Sequence, residues 1–110
     1  MAIQLILSKA GPLPVTVSFN ALADSPLHLE VNGSVWTQTA NQMIGIAVAL
    51  DGHPLGTAQI FSNANATHRT VVPGYFPIKL KQGQHTLTLS ASPGGTVSDV
   101  NDHFTAVIHY

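Results

Sequence analysis

The sequence predicts an all-β fold, an antiparallel β-sandwich of jelly-roll type with eight to ten short strands. Three observations carry the prediction. Apolar residues alternate with polar ones at period two along most of the 110 residues. No stretch carries a helical period. Clusters of Gly, Pro, Asn and Asp break the alternation at regular intervals, as turns between sandwich strands do. Residues 1–110 read as one β-sandwich unit, with no internal repeat, linker or low-complexity tract.

The elements follow in order. Ile3, Leu5 and Leu7 share one face of a first strand, closed by Gly11-Pro12-Leu13-Pro14. The segment opening at Met1 is apolar but short and lacks a basic leader or cleavage pattern, so a strand is expected rather than a targeting peptide. Val15, Val17 and Phe19 repeat the pattern, with Thr16 and Ser18 opposite. After a turn at Ala23-Asp24-Ser25-Pro26, Leu27, Leu29 and Val31 alternate with His28 and Glu30. Asn32-Gly33 predicts a tight turn or a bulge, and as a hairpin it would set Leu29 opposite Trp36. Ile44, Ile46, Val48 and Leu50 line one side of the next strand. Gly45, Ala47 and Ala49 line the other, which suits a strand covered on both faces. Asp51-Gly52 signals a hairpin returning through Leu55 to Phe61, and a polar loop from Ser62 to Thr70 follows. A turn at Gln82-Gly83 would pair Leu80 with His85 and Ile78 with Leu87. Ser92-Pro93-Gly94-Gly95 ends that strand. The polar loop Thr96 to Asp102 precedes a last strand that buries Phe104, Ala106 and Ile108.

Composition excludes several functions. Hydrophobic residues make up 45% of the chain, enough for a core, while charged residues make up only 8%, against roughly 25% in ordinary domains. A surface so weakly charged resists self-association poorly, so a homo-oligomer is expected, a trimer first. Neutralising several phosphates needs clustered Lys or Arg. Lys9, Arg69, Lys79 and Lys81 are the whole supply, which argues against nucleic acid. No apolar run reaches the length of a membrane helix. Without cysteine there is no disulfide or thiolate site, and the compartment stays open.

The second half of the chain carries a resemblance. Leu50-Asp51-Gly52, Gly56-Thr57-Ala58, Phe61-Ser62-Asn63, His68, the run Leu80 to Leu89 and the segment Asp99 to Phe104 resemble bacterial jelly-roll modules. The run Leu80 to Leu89 with its late acidic loop is similar to the closing strands of carbohydrate-binding modules. The small-residue strands resemble trimeric tumour-necrosis-factor-like heads. Such families imply sugar or protein binding without catalysis.

The chemistry-bearing residues weigh in the same direction. Six histidines invite a metal reading, but no His-x-His pair occurs, and His103 and His109 would lie ~20 Å apart on one strand. Asp99, Asn101 and Asp102 place three oxygen-bearing side chains in one loop, part of a calcium shell. The competing reading is that they hydrogen-bond their own backbone to shape a turn. The five carboxylates include Asp51, which its turn explains. With no Gly-x-Ser-x-Gly elbow and no cysteine, no enzyme is expected. Sugar recognition pairs an aromatic platform with amide, carboxylate or imidazole groups that bond the hydroxyls. Trp36, Tyr75, Phe76 and Tyr110 are possible platforms, and Asn63, Asn65, His68 and Arg69 form a polar loop. Trp36 reads more readily as core, and Tyr75 is the better surface aromatic, with a subunit contact as its competing reading. The expectation is therefore a lectin-like, glycan-binding homo-oligomer. The alternative is a structural or assembly protein, such as a fibre head or an adaptor.

Overall fold

In a computed structural model, residues 2–24 and 26–110 are described. They form ten strands and no helix: β1 (Ile3–Ala10), β2 (Val15–Ala21), β3 (Leu27–Thr37), β4 (Gln42–Leu50), β5 (His53–Ser62), β6 (Arg69–Thr70), β7 (Gly74–Ile78), β8 (Gly83–Ala91), β9 (Thr96–Val97) and β10 (His103–His109). Every pairing is antiparallel. The smaller sheet runs β2-β8-β4-β5. The larger runs β1-β10-β3, with β6 and β7 along the far edge of β3 and β9 pairing with its end. The protein is an antiparallel β-sandwich of jelly-roll type. The turn expected at Ala23 to Pro26 includes Ser25, which lies outside the described residues, as does Met1.

The core is the set of inward residues that the alternation picks out. Leu27, Leu29, Val31 and Val35 of β3 and Phe104, Ala106 and Ile108 of β10 meet Ile44, Ile46, Val48 and Leu50 of β4 and Leu87 and Leu89 of β8. Burying side chains of this size stabilises the fold by roughly 1.5–3 kcal/mol each. β4 lies between β8 and β5, so its second face, Gly45, Ala47 and Ala49, is buried or half-buried within the sheet. At Gly45 a Cβ would meet the Ala58 carbonyl oxygen at 2.6 Å, so only glycine fits. The Asp51-Gly52 hairpin joins β4 to β5 as the sequence predicts. Both residues take positive φ, 51° and 81°, as a type I′ turn requires.

Three local expectations are corrected. Ile3 and Leu5 are exposed while Leu7 is buried. The register shifts between Leu5 and Leu7, and this bulge exchanges the two faces of β1. Asn32-Gly33 makes no turn. β3 runs through it for 11 residues, so Leu29 and Trp36 lie on one strand and on opposite faces. Gly33 is there because it packs against Phe104, where a Cβ would meet the ring at 2.4 Å. The hairpin at Gln82-Gly83 does not form either. β7 pairs with β3, matching Ile78 to Leu27, and β8 pairs with β2, matching Leu87 to Val17 and His85 to Phe19. The two strands flanking that turn belong to different sheets.

Candidate functional site

The site is built on the outer face of the larger sheet. Because β3 is unbroken, alternation turns Glu30, Asn32, Ser34 and Trp36 outward, each half-buried, while Val31, Gly33 and Val35 face the core. Beside them, Asn32 pairs across to Thr105 of β10 and Ser34 to Thr70 of β6. Asn32, Gly33, Ser34, Thr70, His103 and Thr105 line an open pocket of about 260 Å³. Its polar groups are an amide, three hydroxyls and one imidazole, with no carboxylate, ammonium or guanidinium. The Asn32 side-chain Oδ1 accepts the Gly33 N–H at 2.8 Å, which directs the side-chain NH2 away from the backbone. The His103 Nε2 lies 2.9 Å from the Ser8 hydroxyl, which fixes the ring.

Under one rim of this pocket lies the acidic loop. Asp102 is fully buried. Its Oδ1 accepts the Ser34 hydroxyl at 2.7 Å and His68 Nδ1 at 2.6 Å, and its Oδ2 accepts the Asp99 N–H at 2.9 Å. The Asp99 side chain accepts the Asn101 N–H at 2.8 Å, so Asn101 enters through its backbone. Gly11 packs on the same loop and donates its N–H to the Asp102 carbonyl oxygen at 2.8 Å. Two of these bonds, from the Asp99 and Asn101 N–H groups, are turn-shaping bonds of the kind the sequence offered beside calcium. His68 Nε2 lies 3.8 Å from Asp99 Oδ2. With a carboxylate at each nitrogen, the ring favours the imidazolium. Its pKa is raised, first by the Asp102 hydrogen bond and then by the two negative charges, with burial opposing.

One ligand atom each from His68, Asp99 and Asp102 falls within a sphere of 4.8 Å, so these groups could hold a metal ion. The set fits calcium poorly. It provides one nitrogen and two carboxylates, where calcium takes six to eight oxygens. Asp102 Oδ1 is already occupied by two donors, the Ser34 hydroxyl and His68 Nδ1.

The other residues singled out in the sequence are dispersed around this centre. Trp36 lies two positions beyond Ser34, its ring 5.8 Å from that of His68. Its indole Nε1 is buried with no protein partner. Arg69 does not face the pocket. It donates to the Asn63 side chain at 3.0 Å, while its Nε is buried and unpartnered. Asn65 sits in the exposed loop, where its carbonyl oxygen accepts the Thr67 hydroxyl. Tyr75 is separated from that loop. On β7 it pairs with Glu30 of β3 and is 61% exposed on the sheet face. The Glu30 charge beside it raises its pKa. The pocket residues Asn32, Ser34, Thr70, His103 and Thr105 escaped the sequence reading. Extending the His28, Glu30 alternation through Asn32-Gly33 would have found the first two.

No family model matches the chain, and neither does any curated protein. Solved structures do match. The chain is similar to a family 35 carbohydrate binding module from an environmental isolate, at TM-score 0.55 and 14% identity over 93% of this chain and 68% of that one. It is similar to the EclA C-terminal domain, described as a sugar-binding protein, at 0.51 and 15% over 93% and 69%. It is also similar to the carbohydrate-binding module CBM36 in complex with calcium and xylotriose, at 0.51 and 13% over 99% and 87%. The likeness is one of fold.

Proposed function

We propose that this protein is a non-catalytic carbohydrate-recognition module. The observation that carries the reading is the open pocket on the sheet face, whose polar lining is uncharged and complements hydroxyls. The fold it shares with carbohydrate-binding modules supports the same reading. Two groups that a hydrolase would use are otherwise engaged. Ser34 donates to a carboxylate, not to a histidine, so it is not an activated nucleophile. Asp102 is buried and hydrogen-bonded on both oxygens, and it cannot act as one of two acids across a cleft.

Binding is expected without a resident metal, because both Asp102 oxygens are already engaged by Ser34, His68 and the Asp99 N–H. A glycan array probed with and without calcium tests both parts. Binders that persist in a chelator support the reading, and loss of all binding in chelator makes calcium a participant. An array with no binder removes the carbohydrate reading. Asn32→Ala, which deletes the directed amide donor, is expected to weaken a binder roughly tenfold, the cost of a hydrogen bond to a ligand hydroxyl.

A second reading, assembly through self-association, is favoured by the apolar side chains left exposed. Met43 and Phe61 pair across β4 and β5 at 41% and 54% exposure. A homo-oligomer, a trimer in particular, would multiply shallow sites through avidity. Light scattering decides it, and a monomer at high concentration would sink it.

A further inference from the structure

We propose that the binding track is longer than the pocket and follows β3, so that the protein grips an extended stretch of neutral oligosaccharide instead of a single terminal sugar. The proposal rests on the carbohydrate reading and gives it a geometry. Glu30, Asn32, Ser34 and Trp36 point outward from one strand. At about 3.3 Å per residue they cover ~20 Å. An aromatic stands at each end: Tyr75 beside Glu30, and Trp36 with its ring tilted 42° to that of His68. The pocket occupies the middle and is open to solvent along the sheet.

Hydrogen bonds from beneath set the polarity of this strip. Ser34 spends its proton on Asp102, so toward a ligand it accepts. Asn32 spends its side-chain Oδ1 on Gly33, so toward a ligand it donates. Thr70 and Thr105 carry hydroxyls that do either. Asn32 therefore offers a donor and Ser34, two positions on, an acceptor, which suits neighbouring hydroxyls that each give and take a bond. Charge points to a neutral chain. Glu30 is bonded to His109 Nε2 at 2.8 Å, Asp102 is buried, and Arg69 is turned away to Asn63. No Lys or Arg lines the pocket to meet an acidic polymer.

Calorimetric titration with xylo-, cello- and manno-oligosaccharides of one to six units tests the track. Affinity in the series that binds is expected to climb with length before levelling. Asn32→Ala and Thr105→Val should weaken every length roughly tenfold. Tyr75→Ala, at an exposed position, should weaken the hexasaccharide by a similar factor and flatten the dependence on length. Thr88→Ala, on the opposite sheet, should change nothing. Affinity that stops rising at the monosaccharide, or a hexasaccharide indifferent to Tyr75→Ala, overturns the track and leaves the pocket standing. Silence from all three series overturns the track and the carbohydrate reading together.

Discussion

His85 shows how much one side chain decides in a chain with so few charges. Its Nδ1 lies 2.6 Å from the Asp51 carboxylate and its Nε2 2.7 Å from the Lys81 carbonyl oxygen. Both partners only accept, so this geometry favours the imidazolium, in which both nitrogens donate. Its pKa is raised, first by the Asp51 bond and next by the Lys81 carbonyl, with burial opposing. For Asp51, burial pushes the carboxyl upward, but the bonds from His85 and the Thr86 N–H outweigh it, and the net direction is down. The raised imidazole contributes stability in full below its ordinary value of 6.5 and loses it as pH rises through the native value. The lowered carboxylate contributes above its ordinary 3.8 and loses this as pH falls through its native value. The pair is therefore worth most between those two values. The fall in Tm caused by His85→Gln should be larger at about pH 5.5 than at about pH 8.5, and a pH-independent difference would refute the pairing. Gly33→Ala makes a different demand, since its Cβ would meet Phe104 at 2.4 Å and the His103 carbonyl oxygen at 3.0 Å. It should cost about 1–3 kcal/mol in denaturant unfolding, as overpacking does. At this scale the sequence identified polar residues but not their partners. His68 and Asp102 are 34 positions apart, and nothing local announces their contact.

Among the elements, the strands were legible wherever alternation and turn chemistry agreed. β4, the Asp51-Gly52 turn and β5 stand as read, with Leu50 matched to His53. Gly52→Ala keeps a positive φ of 81° that only glycine adopts freely and should cost roughly 1 kcal/mol, measurable as a shift in denaturation midpoint. The misreadings share one cause. Asn32-Gly33 and Gln82-Gly83 look like turns locally, yet tertiary packing overrides both. Phe104 claims the space beside Gly33 and draws β3 straight. Pairing of Ile78 with Leu27 takes β7 into one sheet, while pairing of Leu87 with Val17 takes β8 into the other. Period two is a property of one strand, whereas sheet membership is a property of its neighbours. The same override hid the site, because a β3 broken at Asn32 cannot carry a continuous outer face to Trp36.

Across the whole molecule, every ion pair among the described residues joins a histidine to a carboxylate: His68 to Asp102 and Asp99, His85 to Asp51, and His109 to Glu30. None uses Lys or Arg. The formal charge is −1 with the six histidines neutral. Composition made this visible in outline, since low charge and many histidines are counted directly, but the pairing is a product of the fold. The arrangement of the larger sheet has a further consequence, in time as well as in space. β1 lies against β10, and the Tyr110 N–H closes on the Ala2 carbonyl oxygen at 2.9 Å. Within this fold β1 therefore waits for its pairing partner until β10 has been made, and β3 gains its Thr105 and His103 neighbours at the same late moment. Such long-range pairing predicts refolding on the millisecond-to-second scale. It also predicts that a nascent chain stalled before β10 leaves the ribosome exit tunnel will be cut readily by protease at β1.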